Sequence, residues 1–209
     1  MKRLIDIESW NRKEHFEFFL QYDEPFFGIT MNLDCTKVYN LSKSEKSSFF
    51  LRYLHKILTT ANMIEEFRYR IENGKVFCYD KVHVSSTIGR KDGTFAFSFI
   101  EFRKDFKEFA DSAQEEINRV KDSCGLQINH RGIREDTIHF TSIPWIQFTG
   151  LSHSRNFKFR DSCPKMAVGK IFKENEKVMM PFSINAHHAV VDGFHVGKFI
   201  ELLQTNMNE

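Results

Sequence analysis

The chain has few of the features that mark metal-binding, redox, secreted or membrane proteins. Its four cysteines are isolated and form no Cys-x-x-Cys pair, so neither a zinc site nor a redox motif is indicated. No apolar run approaches the ~20 residues that cross a bilayer, and acidic residues interrupt the N-terminus where a signal peptide needs its apolar run. Because unpaired thiols suit a reducing compartment, we expect a soluble protein of the cytoplasm.

The chain also has no large excess of positive or negative charges. Lys and Arg total 30 against 28 Asp and Glu, which gives a formal net charge of +2. Basic and acidic residues are interspersed, and such a balance argues against a nucleic acid or a membrane surface as a partner. We therefore expect neither of these partners and no bound metal.

The chain lacks linkers and internal repeats. With 4 Pro and 10 Gly in 209 residues, no Gly- or Ser-rich segment divides it. Predicted helices and strands alternate from end to end. This alternation favours one mixed α/β domain over residues 1–209.

Phenylalanine, by contrast, is abundant, with 23 Phe against 5 Tyr and 2 Trp. One interpretation is a core built mainly of Phe, in which most rings serve only for packing. The other is an aromatic pocket for a ligand. For any single Phe the core interpretation has more weight.

Three local patterns predict elements around this core. Ser42–Glu45 has the capping-box pattern and predicts the start of a helix that runs through the apolar positions from Phe49 to Leu58. Asn73-Gly74 lies between two apolar runs and predicts a hairpin. Residues 142–163 form a long irregular stretch, and a loop of this length in a compact domain usually has a function.

The segment from Val178 to Gln204 has the strongest chemical signal. Its first half alternates as a strand does, and His188 continues the apolar phase while His187 falls on the opposite face. Asp192-Gly193 ends the strand, and apolar residues then recur at helical spacing. A histidine at a strand end, with a carboxylate four residues later, is a suitable place for a general base.

Three interpretations of His187, His188, Asp192 and His195 are open. In the first, His188 is a core histidine and Asp192 only caps the helix that follows. In the second, these residues bind a metal, although His187 and His188 point to opposite faces, which makes a shared ion awkward. In the third, His188 is a general base held by a polar neighbour.

The longer string favours the third interpretation. His187-His188-x-x-x-Asp192-Gly193-Phe194-His195 resembles the signature of chloramphenicol acetyltransferases, His-His-x-x-x-Asp-Gly-Phe-His. Its shorter core, His-x-x-x-Asp-Gly, is shared with the acyltransferase domains of 2-oxo-acid dehydrogenase complexes. Further segments fall, in order, where the family has similar residues: Trp10-x-Arg12-x-Glu14-His15-Phe16, Leu33-Asp34-x-Thr36, Phe67-Arg68, Thr94-Phe95 and Pro144-Trp145.

The resemblance implies catalytic roles for four residues. His188 corresponds to the general base, whose Nε2 takes the proton of an acceptor hydroxyl that attacks acetyl-CoA directly. Asp192 and Arg12 correspond to a structural carboxylate–arginine pair. Thr141, with Ser142 beside it, corresponds to a serine whose hydroxyl holds the tetrahedral intermediate. A threonine can donate the same hydrogen bond, but its extra methyl crowds the site.

The same resemblance implies an acceptor pocket that has changed. Phe95 and Phe18 match aromatic residues of that pocket, and Phe19 stands where the family usually has tyrosine. His153 lies in a segment that borders the acceptor, where leucine is expected, and Ala167 replaces a threonine. We therefore expect acyl transfer from CoA, with chloramphenicol as the leading acceptor.

For the fold, the resemblance implies a two-layer α+β sandwich, a mixed β-sheet with helices packed on one face, as in CoA-dependent acyltransferases. It also implies a homotrimer in which His188 of one chain faces a pocket of its neighbour. The predicted function is acetyl-CoA-dependent O-acetylation of chloramphenicol, which inactivates the antibiotic. Two alternatives are a CoA-dependent acyltransferase for another small hydroxyl or amine acceptor, and a non-catalytic binding protein on the same fold.

Overall fold

A computed structural model describes residues 1–128, 134–159 and 161–209. Within these ranges the elements follow in the order β1 Lys2–Leu4, α1 Lys13–Phe19, β2 Phe26–Asp34, α2 Thr36–Ser44, α3 Phe49–Met63, a 3-10 turn Glu65–Arg68, β3 Tyr69–Glu72, β4 Lys75–Tyr79, β5 His83–Gly89, β6 Phe95–Ile100, α4 Phe106–Lys121, β7 Thr137–Ile143, β8 Lys165–Gly169, β9 Phe172–Glu174, β10 Lys177–His187 and α5 Gly193–Met207. No helix among them is long and apolar enough to cross a membrane.

The main sheet is mixed, with the strand order β2-β10-β8-β7-β5-β6, and β9 pairs with β10. β10 is the longest strand and runs antiparallel to both of its neighbours, β2 and β8. β7 runs parallel to β8 and to β5. A smaller antiparallel sheet is formed by β1, β4 and β3.

The main sheet has an apolar and a polar face because successive side chains of a strand point to opposite sides. On the apolar face Ile138, Phe140, Phe182 and Ile184 are at most 2% exposed. α3, α4 and α5 pack against this face and against one another, and they form one core cluster with the strands. The predicted fold class, a mixed sheet with helices on one face, is confirmed.

The predicted hairpin at Asn73-Gly74 is also confirmed. β3 and β4 are antiparallel, and Glu72 pairs with Lys75. Asn73 and Gly74 have positive φ of 51° and 75°, the conformation that a two-residue hairpin turn of type I′ requires. The small sheet therefore forms where the local sequence places its turn.

The predicted start of a helix at Ser42–Glu45 is wrong. These residues end α2, and α3 starts after Ser48, whose side chain accepts the N–H of Leu51 at 3.3 Å. The hydroxyl of Ser42 bonds back to the carbonyl of Tyr39 at 2.7 Å, as serine does inside helices. The capping pattern lies six residues before the true N-cap, Ser48, inside a polar helix that the apolar periodicity does not reveal.

Candidate active site

The turn between β10 and α5 is fixed by its backbone. The carbonyl of His187 accepts the N–H groups of Val190 and Val191 at 3.1 and 3.0 Å. The N–H of His188 donates to the carbonyl of Pro25, just before β2, at 2.8 Å. These bonds hold the His188 backbone at the end of the sheet, between β2 and the first turn of α5.

Two aromatic rings hold the His188 side chain. Phe19, the last residue of α1, lies parallel to the imidazole with ring centroids 3.8 Å apart and an angle of 4°. Phe27 of β2 contacts the ring at 4.6 Å and 41°. Nδ1 is buried and has no hydrogen-bond partner within the described ranges. The plane of the imidazole is therefore set by stacking on Phe19 and not by a hydrogen bond at Nδ1.

Asp192 has two structural contacts. Its Oδ1 accepts the N–H groups of Phe194 and His195 at 3.0 and 3.3 Å, which caps α5. Its Oδ2 accepts a hydrogen bond from Nη1 of Arg12 at 2.5 Å. Burial raises the pKa of Asp192, but the hydrogen bonds from Arg12 and from the His195 backbone lower it by more. The net pKa therefore lies below its ordinary value. The carboxylate is ionised at neutral pH and joins the two ends of the chain.

His187 lies on the other face, as the alternation predicts. His187 is 6% exposed, and its ring meets Phe26 edge-on, with centroids 5.2 Å apart. Burial, with a further contribution from the charge of Arg155, lowers the pKa of His187 to about 4. The ring is therefore neutral near pH 7.

A cleft of about 1300 Å³ opens on the polar face of the sheet. Strands β5, β7 and β8 form its floor. Part of the predicted irregular stretch, residues 142–163, forms one wall, mainly through residues 153–159, although its first two residues, 142 and 143, belong to β7. Its lining includes Ser85, Thr87, Phe97, His139, Thr141, His153, Arg155, Lys165 and His187. We refer to this space as the cleft.

Two of the predicted site residues, Thr141 and His153, line the cleft. Nε2 of His153 is buried there without a hydrogen-bond partner among the described residues. Ser142 points away from the cleft, since its hydroxyl lies 3.3 Å from the hydroxyl of Tyr53. Of the two neighbouring hydroxyls, the structure therefore leaves that of Thr141 facing the cleft.

The other predicted residues are not part of the cleft lining. Phe18 is 55% exposed and packs edge-on against Phe19, beside His188. Phe95 is 49% exposed and meets Phe97, a cleft residue, with centroids 5.8 Å apart. Within one chain, Arg12, Asp192, Phe18 and Phe19 thus lie around His188, whereas Thr141 and His153 line the cleft and Phe95 lies beside it.

No pattern in the sequence predicted the ion pairs that hold the wall of the cleft. Arg155 stacks on the ring of Phe26 at 3.6 Å and forms an ion pair with Glu24 at 2.7 Å. Lys165 binds Asp161 at 2.6 Å. Because Arg155 and Glu24 are 131 residues apart, no local pattern connects them. These contacts attach the long loop to the start of β2, next to His187.

Comparison with known proteins agrees with this geometry. The family profile described as chloramphenicol acetyltransferase matches residues 2–204. The chain belongs to the chloramphenicol acetyltransferase family. A chloramphenicol acetyltransferase of Klebsiella sp. is 31% identical over 208 residues, which is 98% of this chain and 93% of that protein. One of Campylobacter coli is 31% identical and covers 98% of both chains.

Solved structures agree with the family assignment. A chloramphenicol acetyltransferase superposes with a TM-score of 0.92 at 29% identity, over 99% of this chain and all of the other. The dihydrolipoamide acetyltransferase of Azotobacter vinelandii gives 0.74 at 12% identity, over 94% and 86%, and shows a shared fold only. The resemblance to chloramphenicol acetyltransferases that the motifs indicated is confirmed, and with it the acyltransferase class.

Proposed function

We propose that this protein transfers the acetyl group of acetyl-CoA to a hydroxyl of chloramphenicol and so inactivates the antibiotic. Relatives that bear the name chloramphenicol acetyltransferase align over 98% of the chain, which supports this acceptor. The observation that carries the proposal is the placement of His188: at a strand end its ring stacks on Phe19 and contacts Phe27, and it forms no ion pair within the described ranges.

In the proposed reaction His188 is the general base. Its Nε2 accepts the proton of the acceptor hydroxyl while the hydroxyl oxygen attacks the thioester carbonyl, so no acyl-enzyme forms. The same nitrogen then returns the proton to the sulfur of CoA as the carbon–sulfur bond breaks. Asp192 is not a relay in this scheme, because its oxygens are bound to Arg12 and to the first amides of α5.

Thr141 is the proposed donor to the oxygen that becomes negative. Its position in β7, facing the cleft beside Ala167 of β8, supports this role. A hydroxyl donor at such an oxygen contributes most when it is already oriented before the reaction. Phe18, Phe19, Phe95 and His153 are the proposed side chains that contact the acceptor.

The division of the candidate residues supports an active site shared between copies of the chain, in a homotrimer. Thr141 lines the cleft of its own chain and His188 does not, and a neighbouring copy can place its His188 opposite Thr141. Co-expression of His188→Ala with Thr141→Val tests this. Random mixing leaves about a quarter of the interfaces with both residues intact, so activity returns. No recovery would mean that each site lies within one chain.

We further infer that residues 1–209 form one domain that acts in the cytoplasm. The core cluster extends from Ile5 to Met207, which supports a single unit. The four cysteines are free, and Cys35, Cys78 and Cys163 are buried, which supports a reducing compartment.

Release of free CoA thiol from acetyl-CoA tests the proposed function. We expect release that depends on chloramphenicol and disappears in His188→Ala. The changes at Thr141, His153 and Ala167 support a second candidate, a CoA-dependent acyltransferase for another small hydroxyl or amine acceptor. Release with such acceptors, and none with chloramphenicol, would select it. Binding of acetyl-CoA without release for any acceptor would select a non-catalytic binding protein.

A further inference from the structure

His195 lies between two carboxylates in the first turn of α5. Its Nδ1 is 2.8 Å from Oδ1 of Asp192 and 3.2 Å from the backbone nitrogen of Asp192. On the other side of the ring, Nε2 is 3.4 Å from Oε1 of Glu66, which lies in the 3-10 turn before β3. The imidazole is 11% exposed, so these contacts are largely shielded from water.

These contacts continue to the N-terminal segment. Oδ2 of Asp192 binds Arg12, so the order of side chains is Glu66, His195, Asp192 and Arg12. In this order the carboxylates of Glu66 and Asp192 alternate with the nitrogen-bearing side chains of His195 and Arg12. The four side chains join the 3-10 turn, α5 and the start of α1. Glu66, Asp192 and Arg12 are the charged groups that act on His195 from the elements around it.

Nδ1 of His195 has two alternative roles. Without a proton it accepts the N–H of Asp192, which completes the capping box of α5. With a proton it donates to Oδ1 of Asp192. Burial lowers the pKa of His195, while the carboxylates of Glu66 and Asp192 oppose that change. In either state the ring restrains Asp192, and Glu66 restrains the ring.

We propose that His195 is a positioning residue for His188: it connects Glu66 to Asp192 and thereby keeps the Asp192 carboxylate on Arg12. The inference rests on the proposed function, because the turn that it stabilises bears the proposed base. His195 is not in the lining of the cleft, and the rings that pack on His188 are those of Phe19 and Phe27. It therefore acts through Asp192 and the turn that precedes it.

Steady-state kinetics of His195→Ala and Glu66→Ala test the proposal. Because a misplaced base slows the reaction without changing substrate contacts, we expect kcat to fall about 10–10²-fold and KM to stay within about twofold. His195→Gln restores much of kcat, since glutamine at the third helical position is a usual capping-box partner and its amide reaches toward Glu66. Glu65→Ala is the matched control, because Glu65 contacts Arg3 and Tyr69 instead.

The ring resonances of His188 give a readout that does not need activity. The Phe19 ring lies flat on this imidazole, so a small reorientation changes the chemical shifts measured by NMR. We expect shifts in His195→Ala and Glu66→Ala but not in Glu65→Ala. If the wild-type protein releases no CoA thiol, the proposed function fails and this readout alone tests His195. Unchanged kcat per folded protein, or unchanged His188 resonances in both variants, overturns the proposal.

Discussion

Phe19 lies flat against His188, with ring centroids 3.8 Å apart and an angle of 4° between the planes. Phe19 ends the same short helix that begins beside Arg12. The N-terminal segment therefore touches both ends of the turn between residues 188 and 192. It fixes the ring of the proposed base through Phe19, and it fixes the helix cap through the ion pair from Arg12 to Asp192.

Replacement of His188 by alanine removes the proposed base. We expect kcat to fall by about 10²–10⁴-fold, because general-base catalysis by a positioned histidine contributes on that order. His187→Asn is the control: its amide oxygen can still accept the N–H of Ala189, which His187 Nδ1 accepts at 3.3 Å. Thiol-release kinetics measure both variants. If His187→Asn lost kcat while His188→Ala stayed active, the base would be His187 and the proposed assignment would be wrong.

Asp192→Ala is expected to lower both stability and activity. It removes the helix cap and leaves Arg12, 11% exposed, without its carboxylate. We expect the free energy of unfolding to fall by roughly 2–4 kcal/mol, more than for a cap alone and at or below the range for a fully buried ion pair. Asp192→Asn can keep the cap through its amide oxygen and loses the charge and the hydrogen bond from Arg12, so its loss is smaller. Urea unfolding measures both, and lost activity with an unchanged unfolding midpoint would contradict the structural role.

Thr141→Val tests the oxyanion donor because it removes the hydroxyl and keeps the shape of the side chain. We expect kcat to fall about 10²–10³-fold, the usual cost of one such donor. Thr141→Ser keeps the hydroxyl and is expected to retain activity. As a second control, Ser142→Ala alters the hydroxyl that pairs with Tyr53 on the opposite face. If Ser142→Ala reduced kcat more than Thr141→Val, the donor would be Ser142.

Stability is expected to decrease below neutral pH. Burial lowers the pKa of His139 and of His187 from 6.5 to about 4. The unfolded chain binds protons as pH falls through 6.5, whereas the folded rings stay neutral until about pH 4. The stabilisation is therefore complete above pH 6.5 and is lost between 6.5 and 4, by up to about 1.4 kcal/mol per pH unit for each ring.

Urea unfolding at pH 7.5, 6 and 5 measures this dependence. His139→Gln, which replaces one of the two rings by a side chain that does not titrate, is expected to reduce the slope. An unfolding free energy that stays constant from pH 7.5 to 5 would show that both rings bind protons equally well in the folded and unfolded chain.

Local patterns predicted the elements whose determinants are close in sequence. Asn73-Gly74 gives its hairpin because both residues accept positive φ. The side chains of His187 and His188 point to opposite faces of the sheet because successive residues of a strand alternate. The prediction from the capping pattern at Ser42–Glu45 failed because the Ser42 hydroxyl bonds to a carbonyl within its own helix. The same residue sequence is compatible with either arrangement.

The sequence by itself determined the strand-to-helix junction, the Asp192 cap and the family signature, because each depends on residues at most a few positions apart. Only the tertiary structure decided that Phe19 and Phe27 hold His188, that Arg155 attaches the loop to Phe26, and that Thr141 lines the cleft while His188 does not. These contacts join residues as much as 169 positions apart. They arise when the sheet packs against its helices and loops, and no local pattern encodes that packing.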